Sequence, residues 1–94
     1  MREGLHRLSQ FFKILGNGVR LQILERLIEE PRTVVSLSEE LDRPHSTISR
    51  HLGRLRGHDL VFAETDGAYR FYGVKRPELV RRSLGMEDDL KRDE

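Results

Sequence analysis

Ninety-four residues suffice for one domain with a limited core, and 17 lysines and arginines against 16 aspartates and glutamates leave a net charge of +1, so overall charge points to no partner. No run approaches the roughly 20 apolar residues of a membrane span, no basic start followed by an apolar stretch suggests export, and the absence of cysteine excludes disulfides and thiol redox sensing. A cytoplasmic protein is expected, and a chain this small gains from the extra apolar burial of a dimer.

In chain order, Leu5, Leu8, Phe12 and Leu15 follow a 3-4-3 spacing, a narrow apolar seam suited to a helix packed on a partner helix. Leu21, Leu24, Leu27 and Ile28 give the inward face of a second helix, with Asn17 as its N-cap and Pro31 placed to stop it. Ser36, followed three residues later by Glu39, reads as a capping box that starts a short helix bearing Leu37 and Leu41. Arg43-Pro44 interrupts, because proline disfavours helical geometry in the residue before it while suiting the first turn of a new helix, so a tight turn is expected near Leu41 to Arg43. In the following helix, 44–57, Ile48, Leu52 and Leu55 recur at i, i+4, i+7 and turn inward. Its outward face then carries His45, Ser46, Thr47, Ser49, Arg50 and Arg54, groups that bond bases or phosphates. From Arg43 to His58 the chain holds Arg43, Arg50, Arg54 and Arg56 with no acid, whereas Glu25 to Asp42 is mostly acidic. A basic helix beside an acidic one orients the molecule on a polyanion, and two helices around a tight turn make a helix-turn-helix.

Two β-prone runs, Leu60 to Thr65 and Ala68 to Tyr72, flank Asp66-Gly67, a dipeptide suited to a type I′ hairpin, and together they predict a wing. Pro77 and Glu78 open a last helix whose stripe of Leu79, Val80 and Leu84 either closes the monomer core or joins a dimer contact. The charged run 87–94 is expected to fray, leaving 1–86 as the folded domain.

The string Ser46-Thr47-Ile48-Ser49-Arg50-His51-Leu52, followed by Leu55, Leu60-Val61 and Tyr72, resembles the recognition helix and wing of ArsR-like winged helix-turn-helix repressors. Upstream, Leu15 to Leu24 is similar to the opening of that family's second helix, and the likeness spans roughly Phe11 to Val74. It implies a mainly α fold of about five helices with a two-stranded wing. It also implies dimerisation through the first and last helices, by Leu5, Leu8, Phe12, Leu79, Val80 and Leu84. Many of the family's members sense metals, but where a common site has Cys-Val-Cys this chain reads Thr33-Val34-Val35-Ser36-Leu37, and no histidine follows His58 for the other common site. No metal or cofactor is therefore expected. His6, His45, His51 and His58 are assigned hydrogen-bonding or packing roles, and a gain of charge on the last three as pH falls would aid DNA binding.

The expected function is that of a dimeric repressor that sets one recognition helix in each of two successive major grooves, about 34 Å apart, on an inverted-repeat operator. Arg50 is the candidate guanine contact, with a phosphate clamp as its alternative, and Arg54 and Arg56 are phosphate contacts or steering charges. In the wing, Glu64 and Asp66 face a single Arg70, so the hairpin either stands off the DNA with Arg70 alone in contact or mainly covers the core. The alternative function is a protein-docking subunit of a larger transcription or nucleic-acid-handling assembly. No glycine-rich phosphate loop or nucleophile-base pairing suggests an enzyme, and the effector is unknown.

Overall fold

The computed structural model describes residues 3–85; the charged run 87–94 lies outside them. The order is α1 (Glu3–Leu15), α2 (Gly18–Glu29), α3 (Val34–Leu41), α4 (His45–Gly57), β1 (Val61–Asp66), β2 (Tyr69–Val74) and α5 (Pro77–Ser83). Five helices and a two-stranded antiparallel hairpin thus form the expected winged helix-turn-helix.

Each boundary has a local cause. The Asn17 side chain accepts the Arg20 N–H at 3.1 Å and starts α2, as its position suggested. The start of α3 differs from expectation. Thr33, not Ser36, is the N-cap, accepting the Ser36 N–H at 3.1 Å, and the Ser36 hydroxyl instead donates to Glu40 at 2.7 Å. Asp42 ends α3 in the left-handed region at φ 53, and the Arg43 N–H returns to the Ser38 carbonyl at 3.1 Å. Ser38 closes this turn from both sides, since its hydroxyl also donates to the Arg43 carbonyl. Pro44 then caps α4, whose first turn bonds back to its carbonyl.

The core joins Ile14 and Leu15 of α1, Ile23, Leu24 and Leu27 of α2, Leu37 of α3, and Ile48, Leu52 and Leu55 of α4 to Leu60, Val61 and Val80. Along α2 the inward face is rotated from the one expected: Ile23 is fully buried, whereas Leu21 and Ile28 are half-buried at its margins. Eight of these side chains are almost wholly sealed from solvent, so α4 sits on a rigid platform rather than a loop.

In the hairpin, Val61 pairs with Val74 and Asp66 with Tyr69, which puts Gly67-Ala68 at the turn, one residue later than expected. Only Gly67 of that pair has positive φ, at 63°, the signature of a type II′ turn, where the glycine is needed at the first central position alone. At the hairpin's other edge Arg32 pairs with Tyr72 as a one-residue third strand. Gly73 is required by packing, because a Cβ there would lie 2.6 Å from the Phe62 ring.

Candidate nucleic-acid interface

Ser46, Arg50 and Arg54 stand four residues apart on α4 and form one row along the helix. That row lies opposite the buried Ile48, Leu52 and Leu55, with His45, Ser49 and Arg56 on one flank and Thr47 on the other. All of these outward groups are exposed except Thr47, which is half-buried. The helix therefore presents the hydroxyl and guanidinium groups that its periodicity assigned to that face.

Pairing separates these arginines from others in the chain. Among the described residues Arg43, Arg50, Arg54 and Arg56 make no ion pair, while Arg26, Arg32 and Arg76 are held by carboxylates. Arg32 is the extreme case: it bonds Glu40 at 2.8 Å, Glu29 at 3.2 Å and the carbonyls of Arg26 and Glu30. The bond to Glu40 raises the Arg32 pKa, and Arg32 followed by the Ser36 hydroxyl holds the Glu40 carboxyl below its ordinary value. Lys75 and Arg76 both close on Asp59 at the base of the wing. The Lys75 hydrogen bond is the main reason that the Asp59 carboxyl titrates below its usual range.

A second set of contacts fixes α4 against the rest of the chain. Arg20, at the start of α2, donates to the Ile14 carbonyl at 2.7 Å and approaches the Lys13 carbonyl and His51 Nδ1 at 3.5 Å each. One guanidinium thus ties the end of α1 to α4. His51 is buried, and burial first, then the charges of Arg20, Arg50, Arg54 and Arg43, lowers its pKa. A neutral ring accepting from Arg20 is the state these surroundings favour. Burial and four neighbouring guanidinium groups therefore hold back the gain of charge expected on His51 as pH falls.

The wing has two electrically distinct faces. Directly paired residues share a face, so Ala63, Thr65, Arg70 and Tyr72 lie on one side, continuous with buried Val61, and Phe62, Glu64, Asp66, Tyr69 and Phe71 on the other. Both acids are therefore on the side away from the core and Arg70 is on the core side, its guanidinium 5.5 Å from the Tyr72 ring centroid. Alternation along the strands resolves the apparent clash of Arg70 with its acidic neighbours.

The apolar residues expected at a dimer contact divide as well. Leu5, Leu8, Phe12 and Leu79 are 56%, 48%, 61% and 42% exposed, Leu84 is half-buried, and Val80 is sealed inside the monomer core. Among the described residues no group of three histidine, aspartate or glutamate side chains is placed to hold a metal ion, and no helix is long and apolar enough to cross a membrane.

The helix-turn-helix domain family matches residues 15–61, the span from the end of α1 through α4 to the start of the wing. An uncharacterized HTH-type transcriptional regulator of Mycobacterium tuberculosis is 37% identical over 80 residues, covering 83% of this chain and 70% of the relative. The chain is an ArsR-like winged helix-turn-helix transcriptional regulator. As such it is a DNA-binding protein, and solved structures agree with its architecture. NolR from Sinorhizobium fredii superposes with a TM-score of 0.82 at 28% identity, over 89% of the regulator and 83% of NolR. A homodimeric winged helix-turn-helix DNA-binding domain from Mycobacterium bovis, described as a possible ArsR-family regulator, gives 0.76 at 30% identity, over 87% of this chain and 75% of that one.

Proposed function

We propose that the regulator is a homodimeric repressor that reads an inverted-repeat operator through α4. The observation that carries this reading is the row Ser46, Arg50 and Arg54, flanked by Ser49 and Arg56, on a helix whose arginines have no carboxylate partner among the described residues. Unneutralised guanidinium groups on a rigid helix suit phosphates and guanine edges, and the positive end of the helix dipole adds to the attraction. Arg50, central in the row, takes the guanine contact, and Arg54, Arg56 and Arg43 bind the backbone. Ser46, Thr47, Ser49 and His45 lie within the first turns, where base edges and phosphates are both in reach. Arg70 reaches the backbone from the core side of the wing, with Glu64 and Asp66 turned away from the duplex.

Dimerisation rests on the exposed side chains of Leu5, Leu8 and Phe12 on α1 and of Leu79 on α5. Burying such side chains against a second copy removes apolar surface from water at about 25 cal/mol per Å², and the Mycobacterium bovis neighbour is homodimeric. Repression then follows from occupancy of a promoter by two recognition helices one turn apart. Selection of bound duplexes from a random pool, followed by footprinting, tests the proposal. A palindromic site with half-sites about 34 Å apart is expected. Enrichment of no sequence, with only weak salt-sensitive binding, would overturn it in favour of a protein-docking role.

A further inference from the structure

The groove between the wing and the start of α3 is lined by no residue of α1, α4 or α5. It is an open groove of about 510 Å³ lined by Thr33, Val34 and Val35 from one side and by Ala68, Tyr69, Arg70, Phe71 and Tyr72 from the other. Val35 and Tyr69, one on each wall, are large exposed apolar side chains. The groove contains a single charged side chain, Arg70, and no carboxylate. On the opposite side of the hairpin the order is reversed, with Glu30, Glu64 and Asp66 lining the groove around Phe62.

The backbone supplies a further donor. Tyr72 exchanges both of its edge hydrogen bonds with Arg32, at 3.0 and 2.8 Å. Backbone groups alternate along a strand, so Arg70, two residues earlier, turns its N–H to the same edge. There the chain has already coiled into α3, and no backbone hydrogen bond joins Arg70 across that edge among the described residues. We infer that this groove is an effector site for a small planar aromatic carboxylate. The arene lies between Val35 and the Tyr72 ring, which shares the core side of the hairpin with Arg70, and the carboxylate accepts from the Arg70 N–H and guanidinium. A mostly apolar cavity of a few hundred Å³ with a few convergent polar groups has the form of a ligand site. Because Arg70 is also assigned to the DNA backbone, the ligand and the duplex compete for it. That regulatory consequence rests on the proposed DNA contact of Arg70, whereas ligand binding does not.

Titration of the isotope-labelled full chain with 1-naphthoate, read by backbone amide shifts, tests the site. Saturable shifts at Val34, Val35, Tyr69, Arg70 and Phe71 are expected, with binding at least tenfold weaker for uncharged 1-naphthalenemethanol and for both Val35→Glu and Arg70→Ala. Shifts centred instead on Leu5, Leu8 and Phe12, or equal affinity for the alcohol, would overturn the proposal. Duplex binding is measured separately: saturating 1-naphthoate lowers the affinity of the wild-type chain at least fivefold and leaves that of Val35→Glu unchanged. An unchanged wild-type affinity would remove the regulatory role. A chain that binds no duplex would refute the operator reading and leave the amide titration to decide the site.

Discussion

Arginine does opposite work on the two sides of this molecule. Behind the hairpin, Arg32 is only 12% exposed at its side chain and is wrapped by Glu29, Glu30 and Glu40, joining the end of α2, α3 and, through its backbone, β2 of the wing. On α4, Arg50 and Arg54 are exposed and without a carboxylate in reach among the described residues. The same side chain is thus a structural fastener where acids surround it and a solvent-facing cation, here assigned to DNA contact, where they are missing. A near-neutral net charge conceals that division.

Truncating one arginine of each kind should have opposite consequences. Arg32→Ala removes the guanidinium bonds to Glu40, which keeps the Ser36 hydroxyl, and to the Arg26 and Glu30 carbonyls, and loss of such charge-assisted bonds lowers stability by about 1–3 kcal/mol. Denaturant unfolding reads that change, and the affinity of the folded fraction for its operator stays at the wild-type value. Arg54→Ala should do the reverse. Its melting temperature is unchanged, while binding to every duplex weakens and the slope of log K against log salt falls by about 1 for each phosphate left without its arginine. A drop in operator affinity for fully folded Arg32→Ala would erase the distinction between the two sides.

A smaller effect comes from His51. Its folded pKa lies below the ordinary value of 6.5, so the unfolded chain binds the proton more readily, and stability rises with pH across that interval. It is therefore lost as pH falls below about 6.5 towards the folded pKa. Unfolding measured across that range in the wild type and in His51→Gln should show a shallower pH slope in the variant. The smallest effect concerns Gly53, which lies between Arg50 and Arg54 on the exposed side of α4 with nothing within 4 Å of an added Cβ. Gly53→Ala should stabilise the chain by about 0.5–1 kcal/mol through helix propensity. If the backbone of α4 lies against the duplex, the same change weakens operator binding, and a rise in both quantities would show that the DNA stands off at this point.

What could be read from the sequence was local. Asn17 as a cap, the turn at Asp42 and the inward set Ile48, Leu52 and Leu55 follow from spacing and capping chemistry over a few residues. The cap of α3 was displaced because two hydroxyls compete there: Thr33 takes the backbone N–H, and Ser36 finds Glu40 one turn on. The hairpin turn moved by one residue because pairing of Val61 with Val74 fixes the register from the far end of the strands. Other features depend on distant partners. Arg20 reaches His51 across 31 positions, and Arg32 reaches Glu40 and Tyr72 through the folding of α2 against α3 and the wing. No spacing rule within either segment carries those pairings. The separation of Arg70 from Glu64 and Asp66 is intermediate, since strand alternation alone puts them on opposite faces once the turn is known.

In the proposed complex α4 reads sequence through Arg50 while its neighbours hold the backbone. The direct test is the affinity of the wild-type chain and of Arg50→Ala for the selected duplex and for a scrambled duplex at the same salt. A bidentate guanine contact is worth about 1–3 kcal/mol, so the variant should bind the selected duplex roughly 5- to 150-fold more weakly for each such contact removed, and the scrambled one far less so. Equal weakening on both duplexes would contradict that reading and make Arg50 a backbone clamp.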